Sequence, residues 1–165
     1  MAVVGRLREF LDGHHIKYSV IPHSKAYTAQ ELAALTHIRG KDLAKTVVIK
    51  AGEHFMLVVV PAHHHVVLEA LTRNLGSEAR LASEQELQDL FPGCEVGAMP
   101  PFGNLYGLKT YAADNLAGDE EIVFNAGTHT DAVRMRFADF DKLVTPRLGH
   151  WSELAIYPPR AEPTA

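Results

Sequence analysis

Apolar residues along this chain recur with two periods, and the changes between them mark out the elements. Val4, Leu7, Phe10 and Leu11 follow helical spacing among polar neighbours, and Gly13 stands where a C-terminal cap belongs, so an amphipathic helix opens the chain. Tyr18 to Ile21 alternates as a strand. Thr28 and Glu31 have the spacing of a capping box, with Leu32 and Leu35 on the buried side of a helix predicted over about 29–37. "AKTVVIK" and "HFMLVVV" are two apolar, β-branched runs separated by Ala51, Gly52 and Glu53, which predicts an antiparallel hairpin at the centre of a sheet.

Further on, residues 66–75 carry apolar positions at 67, 68, 71 and 75 and end at Gly76, as a helix should. Ser83 and Glu86 form a second capping box, and the helix they open stops at Phe91-Pro92-Gly93. The Gly- and Pro-rich stretch "EVGAMPPFGNLYG", residues 95–107, reads as a long structured loop. "LKTYAAD", "EIVFNAG" and "AVRMRF" supply three more strands, the last alternating at Val133, Met135 and Phe137. From Pro146 onward, Pro158, Pro159 and Pro163 predict an extended, partly loose tail that Trp151 and Tyr157 pin to the body.

Hairpins outnumber βαβ crossovers in this order of elements. An α+β domain around a mixed, mostly antiparallel, curved sheet is therefore favoured over a doubly wound fold. The 165 residues suffice for one sizeable core, giving one domain over 1–145 and a proline-rich C-terminal tail over 146–165. No apolar run reaches the roughly 18 residues of a membrane span, and the N-terminus lacks signal-peptide character, so the expected location is cytoplasmic. The single cysteine, Cys94, excludes an internal disulfide and a cysteine-rich zinc site. Beside the acidic Glu95 its thiol is expected to have a raised pKa and to be half-buried rather than nucleophilic.

A net charge of −4 argues against general binding to DNA or other nucleic acid. The charge is uneven, however. Residues 1–50 hold eight Lys/Arg against four acids, and residues 51–165 hold eight against sixteen. The basic half permits a polyanionic partner and contains Lys45, at the mouth of an apolar strand.

The candidate chemistry is sparse. His63, His64 and His65 invite a metal reading, but in an extended segment adjacent side chains point to opposite faces and do not converge on one ion, so no metal site is expected. GxSxG, GxGxxG and P-loop patterns are absent. Three features remain. Lys45 is either an edge lysine whose stem packs while its head reaches water, or a functional cation. The Gly97-Ala98-Met99-Pro100-Pro101 loop, in which Gly97 allows φ > 0 and the prolines remove donors, either presents backbone groups to a ligand or merely reverses the chain. Asn125-Ala126-Gly127-Thr128-His129 reads as a polar turn ending in a histidine that is either an exposed loop residue or part of a site.

In this order, "AKTVVIK", the GxxxP loop in "GAMPPFG" and "FNAGTH", preceded by "PHSKAYTAQELA", resemble the YbaK/prolyl-tRNA synthetase-associated editing domain family over about residues 5–144. The resemblance implies that family's fold, a curved sheet surrounded by helices, and a trans-editing aminoacyl-tRNA deacylase. Such an enzyme hydrolyses the ester of mischarged tRNA, most often proline tRNA carrying alanine or another small amino acid such as cysteine or serine. It also implies no cofactor, no metal and no covalent intermediate. The implied partner is the acceptor end of mischarged aminoacyl-tRNA, with a synthetase as a further one and no membrane or DNA. The alternative is a non-catalytic member of the family that binds aminoacyl-tRNA or a synthetase.

By this resemblance Lys45, Gly97, Pro101 and His129 are the catalytic residues: Lys45 holds the phosphate or ester end, the loop presents backbone groups, and His129 positions substrate or water rather than acting as base. Tyr27, Thr28, Leu32, Thr46, Ala98, Met99, Pro100, Phe102 and Gly127 are the expected substrate-binding residues, Tyr27, Thr28, Leu32, Met99 and Phe102 among them as pocket walls.

Overall fold

The computed structural model describes residues 5–26 and 29–155. Helix α1 (Gly5–Gly13) buries Leu7 and Leu11 completely, and strand β1 (Tyr18–Pro22) follows it. Helix α2 (Ala29–Thr36) has its predicted place, whereas the Thr28 half of its capping box lies outside the described residues, as do Val4 and Tyr157. β2 (Ala44–Ala51) and β3 (His54–Pro61) form the predicted antiparallel hairpin, in register from Ala44 opposite Pro61 to Ala51 opposite His54. Leu57, Val58, Val59 and Val60 are wholly buried, each such side chain contributing about 1.5–3 kcal/mol relative to exposure.

β4 (His64–Val66) leads into α3 (Leu68–Leu75), which ends at Gly76 in the left-handed conformation with φ 73°. After β5 (Ala79–Leu81), α4 (Glu84–Leu90) opens with the predicted capping box, in which Ser83 accepts from the Glu86 amide and the Glu86 carboxylate accepts from the Ser83 amide. The long loop passes through a 3-10 turn at Gly103–Tyr106 into β6 (Lys109–Ala113), and a second 3-10 turn, Asp114–Gly118, precedes β7 (Glu121–Thr128) and β8 (Asp131–Arg136).

The chain then differs from its sequence pattern. Phe137, expected to end a strand, opens α5 (Phe137–Val144), because Phe137, Phe140 and Val144 recur at helical spacing and all three are buried. Beyond it, β9 (Arg147–Gly149) and β10 (Ser152–Leu154) are paired strands rather than loose chain. Trp151 between them is 8% exposed and stands edge-on to Tyr111 at 5.5 Å, anchoring this part of the tail as expected.

The architecture is α+β, and among the described residues there are three hydrogen-bonded sheets, in the orders β5-β2-β3-β6-β9, β1-β8-β7 and β10-β4. Most pairings are antiparallel; β3-β6 and β6-β9 are parallel. Two apolar clusters cover opposite faces of the hairpin. One joins Ala44 and Val59 to α1, α5, Phe102 and Phe124; the other joins Val58 and Val60 to Leu71, Tyr111 and Trp151.

One junction positions the start of β2 against β7. The two larger sheets meet at a parallel bridge between Leu43 and Val123, where the Val123 amide donates to the Asp42 carbonyl at 3.0 Å. β5 pairs with the far end of β2, at Ile49 to Ala51. Lys45, Thr46 and Val47 thus lie in the fork where β7 leaves β2 on one side and β5 has yet to join it.

Candidate active site at the sheet fork

Backbone direction brings the 95–98 loop into this fork. Val123 and Gly127 lie four residues apart on β7 and turn their backbone groups to the same edge. Val123 bonds to Asp42, while the Gly127 amide donates to the Ala98 carbonyl and its carbonyl accepts from the Glu95 amide, both at 2.8 Å. The loop therefore takes up the strand edge that β2 gives up. Gly127 has φ 102° and Gly97 φ 87°, conformations that cost an L-residue with a Cβ about 1–2 kcal/mol. Glycine at 97 was expected for this reason; the second, at 127, accompanies the β-bulge between Asn125 and Thr128.

His129 ties the loop down. It is 4% exposed, with Nε2 at 2.8 Å from the Val96 carbonyl and Nδ1 at 3.0 Å from that of Ala26. A neutral imidazole donates to one of these oxygens only; an imidazolium donates to both. With both nitrogens directed at backbone carbonyls, the ring has the surroundings of a brace between the loop and the chain entering residues 27–28. It is not the exposed loop histidine that the sequence left open. Position 97 would bring a Cβ within 3.5 Å of His129 Cε1, so loop and ring are in close register.

The remaining loop residues are held from beneath. Met99 packs with Val48, Leu57 and Phe91, and Phe102, without exposed surface, stacks among Phe10, Phe124 and Phe140 at centroid distances of 5.6–6.1 Å. Ala98, Pro100 and Pro101 are buried too. Leu32 lies in a cluster with Ala26, Leu43, Val123 and Ala132. Phe102 and Leu32 were expected as pocket walls; at 0% and 2% exposure they support the site's frame from the core and offer almost no surface to a ligand. Tyr27 and Thr28 lie outside the described residues.

Lys45 is half-buried, and among the described residues it makes no hydrogen bond or ion pair. Desolvation holds its ammonium below the usual lysine range. A cation taken partly out of water without a counter-charge is costly and available to an anionic or strongly dipolar ligand. Strand alternation separates it from Thr46. Lys45 lies opposite Val60 and Thr46 opposite Val59, residues of the two opposing clusters. The structure therefore places Thr46, whose buried Oγ1 has no partner among the described residues, on the face that Met99 and Phe102 cover, and Lys45 on the other.

On the Lys45 side stands a residue that the sequence had assigned to a turn. Asn125 lies within β7; its Oδ1 is buried and has no hydrogen-bond partner among the described residues. The signal was present, since asparagine is depleted in strand interiors and this one follows the apolar run Ile122-Val123-Phe124.

The histidine run has a structural place. His64 Nδ1 is 2.8 Å from Ser152 Oγ, and its ring meets that of His63 edge-on at 4.7 Å. Burial, then the charges of His63 and Lys45, push the His64 pKa down. Among the described residues no group of three or more His, Cys, Asp or Glu side chains is placed to hold a metal ion. Cys94 is half-buried, 3.3 Å from the Tyr106 hydroxyl, and its pKa is raised as expected, but by burial rather than by Glu95.

Known proteins resemble this chain over most of its length. The family model described as "Aminoacyl-tRNA editing domain" matches residues 23–143. The multifunctional Ser/Thr-tRNA deacylase ProXp-y of Escherichia coli K12 is 31% identical over 161 residues, covering 91% of this chain and 93% of the relative. The prolyl-tRNA editing protein ProX of Acetoanaerobium sticklandii is 25% identical over 150 residues, covering 87% and 88%. A crystal structure assigned as a candidate trans-editing enzyme for prolyl-tRNA synthetase superposes with a TM-score of 0.78 at 24% identity, covering 90% of this chain and 95% of its own.

Proposed function

We infer that this chain, which belongs to the aminoacyl-tRNA editing domain family, is a trans-acting aminoacyl-tRNA deacylase that clears small amino acids, alanine or serine foremost, from proline tRNA. The observation that carries this reading is the half-buried Lys45 ammonium in the fork between β2 and β7, which has no partner among the described residues.

The acceptor end of a charged tRNA offers what this site lacks: a phosphate and an ester carbonyl, both attractive to a desolvated cation. Water attacks the ester carbon, the bond to the ribose oxygen breaks, and free amino acid and tRNA with a restored hydroxyl leave. Negative charge develops on the carbonyl oxygen, and Lys45 supplies fixed charge to meet it. Among the described residues the Gly97 amide faces only the Met99 thioether at 3.2 Å, a weak acceptor, so it is available to a better one. His129 contributes by holding this loop, its two ring nitrogens lying against the Val96 and Ala26 carbonyls. The names of the relatives, one acting on Ser/Thr-tRNA and one on prolyl-tRNA, support a small amino acid as the cleared group. Synthetic sites distinguish such side chains poorly, a methylene being worth about 1–3 kcal/mol, which gives a second hydrolytic site its purpose.

The test is deacylation of proline tRNA charged with alanine, cysteine, serine, threonine and proline, with wild type and Lys45→Ala in parallel. Lys45-dependent hydrolysis of alanyl or seryl species is expected. Binding of charged tRNA without hydrolysis of any species would establish a binding module instead.

A further inference from the structure

We propose that Asn125 is a substrate-positioning residue, its Oδ1 accepting a hydrogen bond from the ribose hydroxyl adjacent to the scissile ester; this rests on the deacylase reading above. A buried acceptor without a donor is a liability that folded proteins rarely retain unless something else supplies the donor. Among the described residues Asn125 Oδ1 is such an acceptor, and it stands in a strand between the fully buried Phe124 and Ala126. Three relationships direct it to the site. The parallel bridge pairs Leu43 with Val123; two residues along each strand, alternation turns Lys45 and Asn125 to the same side. Both backbone neighbours of Asn125 on that edge are accounted for, Val123 by Asp42 and Gly127 by the 95–98 loop, so the carboxamide lies between the start of β2 and the loop. Val123 and Ala132, the cross-strand neighbour of Asn125, belong to the apolar cluster of Leu32 and Leu43, which supplies no donor.

The donor that fits is neutral. Lys45 already places one desolvated positive charge on this side, and a second cation, such as the α-ammonium of the amino acid, would be repelled there. A hydroxyl carries a donor without charge. In an aminoacylated ribose, that hydroxyl is vicinal to the ester, so one ligand can satisfy Asn125 with its hydroxyl while offering Lys45 its carbonyl or phosphate.

The experiment compares hydrolysis of alanyl- and seryl-tRNA ending in adenosine with the same esters on tRNA ending in 2′-deoxyadenosine, for wild type, Asn125→Ala and Asn125→Ser. Wild type is expected to prefer the ribose substrate by tenfold or more. In Asn125→Ala that preference collapses towards one, the loss falling on the ribose substrate, and Asn125→Ser recovers part of it. Melting temperatures of both variants stay at or above wild type, because the buried acceptor removed has no partner to strand. An unchanged preference in Asn125→Ala, or a lowered melting temperature with both substrates slowed alike, overturns the assignment and leaves the deacylase reading standing. If N-acetylation of the substrate, rather than loss of the hydroxyl, is what abolishes the difference between wild type and Asn125→Ala, the donor is the amino group and the assignment fails. Wild type that hydrolyses no ester overturns the deacylase reading and this inference with it.

Discussion

Lys45 and Thr46 are consecutive in sequence and lie on opposite faces of β2, the lysine level with Val60 and the threonine with Val59. This alternation divides the expected site into a cationic side, shared with Asn125, and a loop side, where Met99 and Phe102 pack.

Replacing Lys45 removes charge at little structural cost. Lys45→Ala is expected to lower deacylation about 10²–10³-fold, the range for loss of one preorganised electrostatic group. Lys45→Met should be equally inactive yet melt at or above the wild-type temperature, since an apolar side chain replaces a desolvated cation that has no counter-charge among the described residues. A clear fall in melting temperature would assign Lys45 a structural role instead.

Gly97→Ala tests the loop. With φ at 87°, an alanine there costs about 1–2 kcal/mol or forces the loop to shift, although the new methyl meets His129 at no worse than ordinary contact. The expected outcome is a lower kcat with little change in the binding of tRNA, measured by single-turnover kinetics alongside filter binding. Unaltered kcat would remove the loop from the chemistry.

His129→Gln separates bracing from proton transfer. Losing the link between the Val96 and Ala26 carbonyls should destabilise the fold by about 1–3 kcal/mol, read from urea unfolding. The residual activity is expected to keep the wild-type pH profile. Disappearance of a titrating limb from that profile would show that the ring carries a proton.

His64 makes stability depend on pH. Its pKa is lowered in the folded chain by burial, with His63, Lys45, His65 and His150 adding positive charge around it. The unfolded chain therefore binds a proton at a higher pH than the folded one. The stability contributed is fully present above the ordinary histidine value and is lost as pH falls through the lower folded-state value. Melting temperature should drop over that window, and His64→Asn should flatten the slope relative to wild type; an identical slope would place the effect on other histidines.

Much of this protein was set by local sequence. β-Branched runs and the intervening Gly52 made the β2-β3 hairpin legible, Ser83 and Glu86 marked the start of α4, and the order of lysine, GxxxP and FNAGTH pointed to the family. These depend on neighbours within a few residues, where periodicity and capping act. What tertiary structure alone decided is non-local. α5 forms where Phe137, Phe140 and Val144 have a core to enter, and β9 exists because β6 offers an edge. His129 is buried where distant segments bring the Val96 and Ala26 carbonyls to its ring, and the placing of Asn125 on the same side as Lys45 follows from a bridge joining residues 80 positions apart in the chain, Leu43 and Val123. Desolvation and strand-edge pairing depend on what the rest of the chain brings alongside, and no local pattern records that.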